Sequence, residues 1–254
     1  MIYVESKRKS LATIRAKHPS AVIIDVTSRG EEPWIRVSPF YPHGGIPVPF
    51  SESECVFSAS VEGVWQGLKV FEGEDVDFSK FENDAMKGIK RTVRKYGKPL
   101  GHRKGVNGVE LLDYGTARRW IYLPTYAWML SNKAVDVIEK LTKMAETGDV
   151  VLLDYDTNGD LTNLKSPLSH AALVKMYIEK KNPHLKMGAA LAIEQPKSTA
   201  VTTPIKTPRK RSTPSSMAKK PAVGKKPAVD KKPAVDKKLA VDKKKGNPGQ
   251  LRLL

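Results

Sequence analysis

The sequence predicts an α+β domain, mostly helical with a few short strands, over residues 1–187, followed by a disordered basic tail over 188–254. Three observations predict it. Two uninterrupted apolar runs, AVIIDVT at 21–27 and VVLLD at 150–154, read as buried strands. Apolar residues recur at helical spacing through longer stretches, chiefly 57–71, 79–95, 132–146 and 167–179. Charge is also segregated. Of the net +17, residues from Gly188 onward hold 17 Lys+Arg against 4 Asp+Glu, whereas 1–187 hold 27 against 23. The first part is therefore near neutral and long enough to bury one substantial core.

In chain order, residues 6–18 read as a short basic helix with Leu11, Ile14 and Ala16 toward the core. The strand at 21–27 closes at the turn signals of 28–33, and 34–37 continue extended. Residues 38–50 hold Pro39, Pro42, Gly44, Gly45, Pro47 and Pro49, a density that excludes regular structure and marks a functional loop. A helix at 57–71 comes next, then a second at 79–95 with Phe81, Met86, Ile89 and Val93 on one side. Residues 97–108, GKPLGHRKGVNG, form a basic glycine-rich loop, and 108–114 a short strand or an extended connector. Residues 117–129 are ambiguous and end in an apolar TYAWML run that leads into the helix at 132–146. Thr147-Gly148 stops that helix before the strand at 150–154. A polar loop at 156–166 and a helix at 167–179, with Pro167 in its first turn, complete the domain.

The stretch FSASVEGVWQGLKVF at 57–71 carries the chemistry. At about 100° per residue, Gln66 and Lys69 fall within about 40° of Glu62, so an acid, an amide and an ammonium share one face. Val61, Val64, Trp65, Leu68 and Phe71 fill the opposite arc, which assigns Trp65 to the core. Gly63 and Gly67 each weaken a helix by about 1 kcal/mol, and the expected compensation is close approach of a ligand or of another backbone. An ordinary solvated polar face is the alternative. Elsewhere, DYDTNGDLTNLK at 154–165 imitates a calcium loop, but Lys165 stands where a bidentate Glu is needed and a strand precedes it. It reads instead as a hydrogen-bonded turn or as an acidic cluster (Asp154, Asp156, Asp160) at the carboxyl end of a strand. His102, Arg103 and Lys104 form a candidate phosphate clamp or an exposed basic loop. His43 and His170 lack a second ligand at metal spacing, and no GxSxG or Walker signature is present.

Cys55 is the single cysteine, which excludes an internal disulfide and a cysteine zinc site. Residues 1–20 lack the apolar core of a secretory signal, and no run approaches the ~18 apolar residues of a spanning helix. The expected setting is soluble and intracellular, cytoplasmic or nuclear, with no membrane association. In the tail, KKPAVG at 219–224 is followed by KKPAVD, KKPAVD and KKLAVD to residue 242. Proline at that spacing forbids a stable helix and one valine per repeat builds no core. The tail is suited to non-specific, salt-dependent polyanion binding or to a spacer role, without aromatics to read bases. Its Thr-Pro-x-Lys units and Lys-Lys-Pro-Ala repeats resemble linker-histone tails and tails of large algal-virus proteins.

Ser38-Pro39-Phe40-Tyr41-Pro42, then Ser60-Val61-Glu62, Gln66 and Lys69, resemble the NADAR (YbiA-like) superfamily, with fainter similarity at Leu152-Leu153-Asp154, over residues 34–180. The pattern departs from that family where Gly63-Val64 replace its His-Tyr/Phe, where no Asp-x-x-Trp-Gly loop is found, and where Lys69-Val70-Phe71 has one extra residue. The resemblance implies an N-glycosidase without redox or metal cofactor, acting on an ADP-ribosyl, nucleotide-like or riboflavin-precursor molecule, or on ADP-ribosylated nucleic acid. It implies Glu62 as base or oxocarbenium stabiliser, partnered by Asp154, Asp156 or Asp160, with Gln66 orienting ribose or water. Lys69 would hold Glu62 ionised. Phe40 and Tyr41 would contact substrate, Tyr41 by stacking, and Arg103 or Lys104 would take phosphate. The alternative is a non-catalytic nucleotide or ADP-ribose binder tethered to nucleic acid by its tail.

Overall fold

A computed structural model describes residues 1–181; the basic tail and its repeats lie outside the described residues. The chain enters on strand β1 (Ile2–Ser6), turns into helix α1 (Leu11–Lys17) under the Ser10 N-cap, and returns as β2 (Val22–Asp25). A 3₁₀ turn at Trp34–Val37 leads to β3 (Ile46–Pro47) and β4 (Phe57–Ser58). Helix α2 (Val61–Gly67) gives way directly to β5 (Lys69–Val70). Two single turns follow, α3 (Phe78–Phe81) and α4 (Val93–Tyr96), and then β6 (Gly101–Arg103) and β7 (Leu111–Leu112). From α5 (Tyr114–Ala117) the chain runs through a π-helical stretch, Arg118–Tyr122, into α6 (Leu123–Asn132). Helix α7 (Val135–Thr147), strand β8 (Val150–Asp154) and helix α8 (His170–Ile178) complete an α+β arrangement.

The VVLLD run explains the architecture. An all-apolar strand needs cover on both faces and partners on both edges, and β8 lies between β1 and β2 in a parallel sheet with every residue buried. The register pairs Ile2 and Val22 with Val150, so β1 and β8 end level at Ser6 and Asp154, and β2 ends one residue earlier at Asp25. In open parallel sheets that carboxyl edge is where sites form. One face packs on the main core, where Tyr126, Leu123, Met129, Leu130, Leu68 and Val64 are buried with Leu152. The other is covered by α1 through Ile14, against Val151 and Leu153. β5, β6 and β7 form a separate antiparallel sheet, and β3 pairs with β4.

Several expectations are corrected. The predicted 6–18 helix begins only at Leu11, because β1 runs to Ser6 and a turn fills residues 7–10; Leu11 and Ala16 are exposed, leaving Ile14 alone to face the core. Residues 34–37 are 3₁₀, not extended. The predicted helix at 57–71 shrinks to Val61–Gly67, because Phe57–Ser58 pairs with β3 and Lys69 pairs with His102. The 79–95 helix survives only as its two end turns; Met86 and Gly88 take positive φ between them, which breaks the helical path. The 97–108 loop contains β6. The helix expected at 132–146 is Val135–Thr147, preceded by α6 as an independent helix. Pro167 precedes the last helix, whose N-cap is Ser169. Among the described residues no helix is long and apolar enough to cross a membrane.

Candidate functional site

A cavity of about 620 Å³ opens at the carboxyl edge of the parallel sheet. All three strand exits line it: Arg8 after β1, Thr27 and Ser28 after β2, and Asp154, Tyr155 and Asp156 at the end of β8. The remaining walls come from Ser38–Phe40, from Glu62, Trp65, Gln66 and Lys69, from residues 90–93, from Tyr114, Arg118 and Tyr122, and from Pro167, Leu168 and His170. The Pro-rich loop therefore contributes Phe40, and its Pro39 carbonyl accepts the Glu62 amide at 2.8 Å, fixing the start of α2 against it.

Ser60 caps α2 by accepting the Gly63 amide at 3.0 Å. The helix is buried nearly all round, with Trp65 its one partly exposed residue. This places Glu62 and Gln66 inside the protein. Gln66 Oε1 accepts from Lys69 Nζ at 3.0 Å and from the Arg91 backbone amide at 2.9 Å. With both donors on its oxygen, its amide nitrogen must turn to Glu62 Oε1, to which it donates at 2.8 Å. Burial pushes the Glu62 carboxyl above the usual carboxylate range, outweighing the Gln66 hydrogen bond and the charges of Lys90 and Lys69. Lys69 thus bonds Gln66 directly, and its charge favours the ionised form of Glu62, as expected, but less than burial opposes it. Burial also pushes the Lys69 ammonium down.

Asp154 has the opposite character. Burial alone raises its carboxyl, but hydrogen bonds from His170 and Ser169, with the His170 charge, bring it below the usual range. Its Oδ2 accepts from Ser169 Oγ at 2.8 Å and lies 3.0 Å from His170 Nδ1, and its Oδ1 accepts the Tyr155 amide at 2.7 Å. The cavity thus sees one carboxyl biased toward its neutral form and one held ionised. Tyr122, on the π-helical stretch, feels both: burial and then the charges of Glu62 and Asp154 raise its hydroxyl. Its ring meets Trp65 edge-on at 5.7 Å and stacks on Tyr126 at 6.1 Å.

Of the predicted site residues, Phe40, Glu62, Gln66, Lys69, Asp154 and Asp156 line this cavity together. Asp156 makes no hydrogen bond or ion pair with other described residues, so its carboxylate is open to the cavity. Asp160 does not reach it; that carboxylate accepts from the Thr162 amide at 2.8 Å and organises its own turn. Tyr41 packs on His43 at 4.7 Å outside the lining. The basic loop also disperses. Arg103 is committed to Asp75 at 2.7 Å and Lys104 to Glu110 at 2.8 Å. His102 is buried behind Trp65 with ring centroids 3.8 Å apart, and burial and then the Lys69 charge hold it down at about 3. The cations on the cavity are instead Arg8, Lys69, Lys90, Arg91 and Arg118. Trp65, assigned to the core by its position on the helix, packs against the main core and also lines the cavity.

Gly63 and Gly67 do allow close approach, but of α3 and not of a ligand. A Cβ at Gly63 would lie 2.7 Å from the Lys80 carbonyl, and one at Gly67 would lie 2.1 Å from the Phe81 ring. Tyr122 and Arg118 sit in the stretch whose periodicity was ambiguous, and the Tyr-Arg pairing at i, i+4 between Tyr114 and Arg118 was its available signal. His170 carried no signal beyond being a histidine after a serine cap. Among the described residues, no three or more His, Cys, Asp or Glu side chains are grouped to hold a metal ion.

No curated protein and no solved structure matches this chain. A family model does match, from residue 6 to residue 174, which takes in β2, β8, α2 and every residue lining the cavity. Covering more than half of the sequence, that match makes the chain a member of the family of unknown function DUF6939.

Proposed function

We propose that the chain is an N-glycosidic bond hydrolase of NADAR-like character, acting on a nucleotide-like molecule of the ADP-ribosyl or riboflavin-precursor class. The observation that carries this reading is the pair of unlike carboxyl groups, Glu62 and Asp154, on one cavity. Cleavage of an N–C1′ bond needs a proton for the departing nitrogen and a negative charge near the oxocarbenium ion that remains. Glu62, favoured in its neutral form, donates the proton as the bond's electron pair leaves with nitrogen. Asp154 faces the developing positive charge. Water then bonds to C1′ and passes its proton to Glu62, directly or by way of Asp156, so the site returns to its starting state. Trp65, Phe40 and Tyr114 offer faces for a planar base, and Arg8 and Lys90 offer charge for phosphate.

The test is base release from ADP-ribosylated guanosine, from other ADP-ribosyl compounds and from ribosylamino-pyrimidines, separated chromatographically. Glu62→Gln, shown to be folded, is expected to lose about 100-fold or more, as for a general acid. Equal rates in the two proteins would sink the reading. One observation favours a binder without turnover: Asp154 already accepts from Tyr155, Ser169 and His170, which leaves little acceptor capacity for substrate. Thermal stabilisation by ADP-ribose with no base released selects that alternative.

A further inference from the structure

We infer that His170 is a positioning residue, an imidazolium wedged between the ends of two parallel strands that dictates which oxygen of Asp154 faces the cavity. The inference rests on the role given to Asp154 above, but its geometry stands alone. His170 lies at the start of α8, 8% exposed. Its Nε2 is 2.7 Å from the Val26 carbonyl, just past β2. A carbonyl only accepts, so Nε2 carries hydrogen. Its Nδ1 is 3.0 Å from Asp154 Oδ2, at the end of β8. That oxygen already accepts from Ser169 Oγ at 2.8 Å and from the Ala171 amide at 3.4 Å, and Oδ1 accepts the Tyr155 amide at 2.7 Å. Every other neighbour of the carboxyl group donates to it. An ionised Asp154 and a proton on Nδ1 satisfy the set.

The groups that face this pair support the same state. Asp25 on β2 adds negative charge toward His170, although it is itself paired with Lys7. The Tyr126 hydroxyl from α6 bonds the Val37 carbonyl and approaches the His170 carbonyl at 3.5 Å, leaving the ring alone. With both nitrogens engaged, His170 has none left for substrate. Its consequence is geometric. Three donors gather on Oδ2, so Oδ1, with one backbone donor, is the oxygen turned to the cavity. The Val26 contact also ties down the strand exit that presents Thr27 and Ser28 to the same space.

The experiment uses the full chain labelled with ¹⁵N, which has five histidines. His170 is assigned by the signals that vanish in His170→Gln. Long-range ¹H–¹⁵N spectra are recorded about one pH unit above 6.5, where an ordinary imidazole is mostly neutral. Both ring nitrogens of His170 are expected to be protonated, and Asp154→Asn is expected to convert the ring to a neutral tautomer at that pH. An unprotonated ring nitrogen in the wild type, or a titration indifferent to Asp154→Asn, overturns the inference. Positioning is read separately from the Tyr155 amide proton, the reporter on Oδ1. In folded His170→Gln it is expected to shift upfield and exchange faster with solvent; an unchanged amide overturns the positioning role. None of these readouts needs a substrate, so a failure of glycosidase activity leaves them intact and is recognised as a separate failure.

Discussion

Glu62 shows how burial overrules composition. Spacing alone sets an acid, an amide and an ammonium on one helical face, which solvent would ordinarily cover; here the face is closed over by the Pro39 carbonyl and the 90–93 segment. A carboxyl whose folded pKa is raised favours the fold while protonated. Its contribution is complete below the unfolded value of about 4.3 and declines as pH rises toward the folded value. Glu62→Gln removes that titration. Its melting temperature is expected to gain on the wild type as pH rises above about 4.3, and then to run parallel. A wild type that keeps pace at all pH values would mean Glu62 is not desolvated. Glu5 is the reverse case. Lys17 first, then Lys9 and His18, surround this nearly buried carboxylate and hold it down at about 2. Its contribution is present above the unfolded value and is lost as pH falls toward about 2. Glu5→Gln should cost about 1–3 kcal/mol at pH 7 in chemical denaturation, hydrogen bonds to a charged group being lost. That deficit should shrink on acidification below the usual Glu range, and a pH-independent deficit would refute the ion cluster as its cause.

The elements were legible where one local signal agreed with its surroundings. VVLLD became the central strand because an all-apolar run has no solvated alternative, and Gly148 closed α7 as read. They were illegible where pairing partners far along the chain decided the outcome. Nothing within 57–71 reveals that Lys69 must leave the helix to pair with His102, or that Phe57 pairs with Pro47. The same holds for the site: the Glu62-Gln66-Lys69 set was visible at fixed spacing, whereas His170 and Tyr122 joined it only through the fold. Helix α2 supplies a test of this coupling. In an isolated helix Gly67→Ala would gain about 1 kcal/mol. Here the new methyl meets Phe81 Cε1 at 2.1 Å and two further ring atoms at 2.6 and 2.7 Å. Gly67→Ala is therefore expected to destabilise by about 1–3 kcal/mol, as overpacked cores do. Phe81→Leu in the same chain should recover part of that loss. A stabilised Gly67→Ala would mean that α3 is not seated on α2.

The molecule joins two chemistries at one sheet edge: acids placed by β8 and α2, and a surplus of cations placed by the β1 exit, β5, the 90–93 segment and the π-helical stretch. Arg8 and Lys90 are exposed there with no carboxylate in ion-pair contact, so the cavity mouth favours an anion before the tail is considered. Residues 188–254 carry 17 Lys+Arg against 4 Asp+Glu. Those cations are spaced in the sequence by Pro, Ala and Val, a composition expected to bind polyanions non-specifically. The two should separate by salt. Binding of the full chain to double-stranded DNA, followed by fluorescence anisotropy, is expected to weaken about 10³-fold or more between 50 and 200 mM salt if six or more phosphates are engaged. A chain ending at residue 187 should lose most of that affinity and its salt slope. Its stabilisation by ADP-ribose should persist, because a small ligand held in a cavity releases few counterions. Equal DNA affinity in the two chains would locate polyanion binding in the domain itself, with Arg8 and Lys90 the first residues to replace.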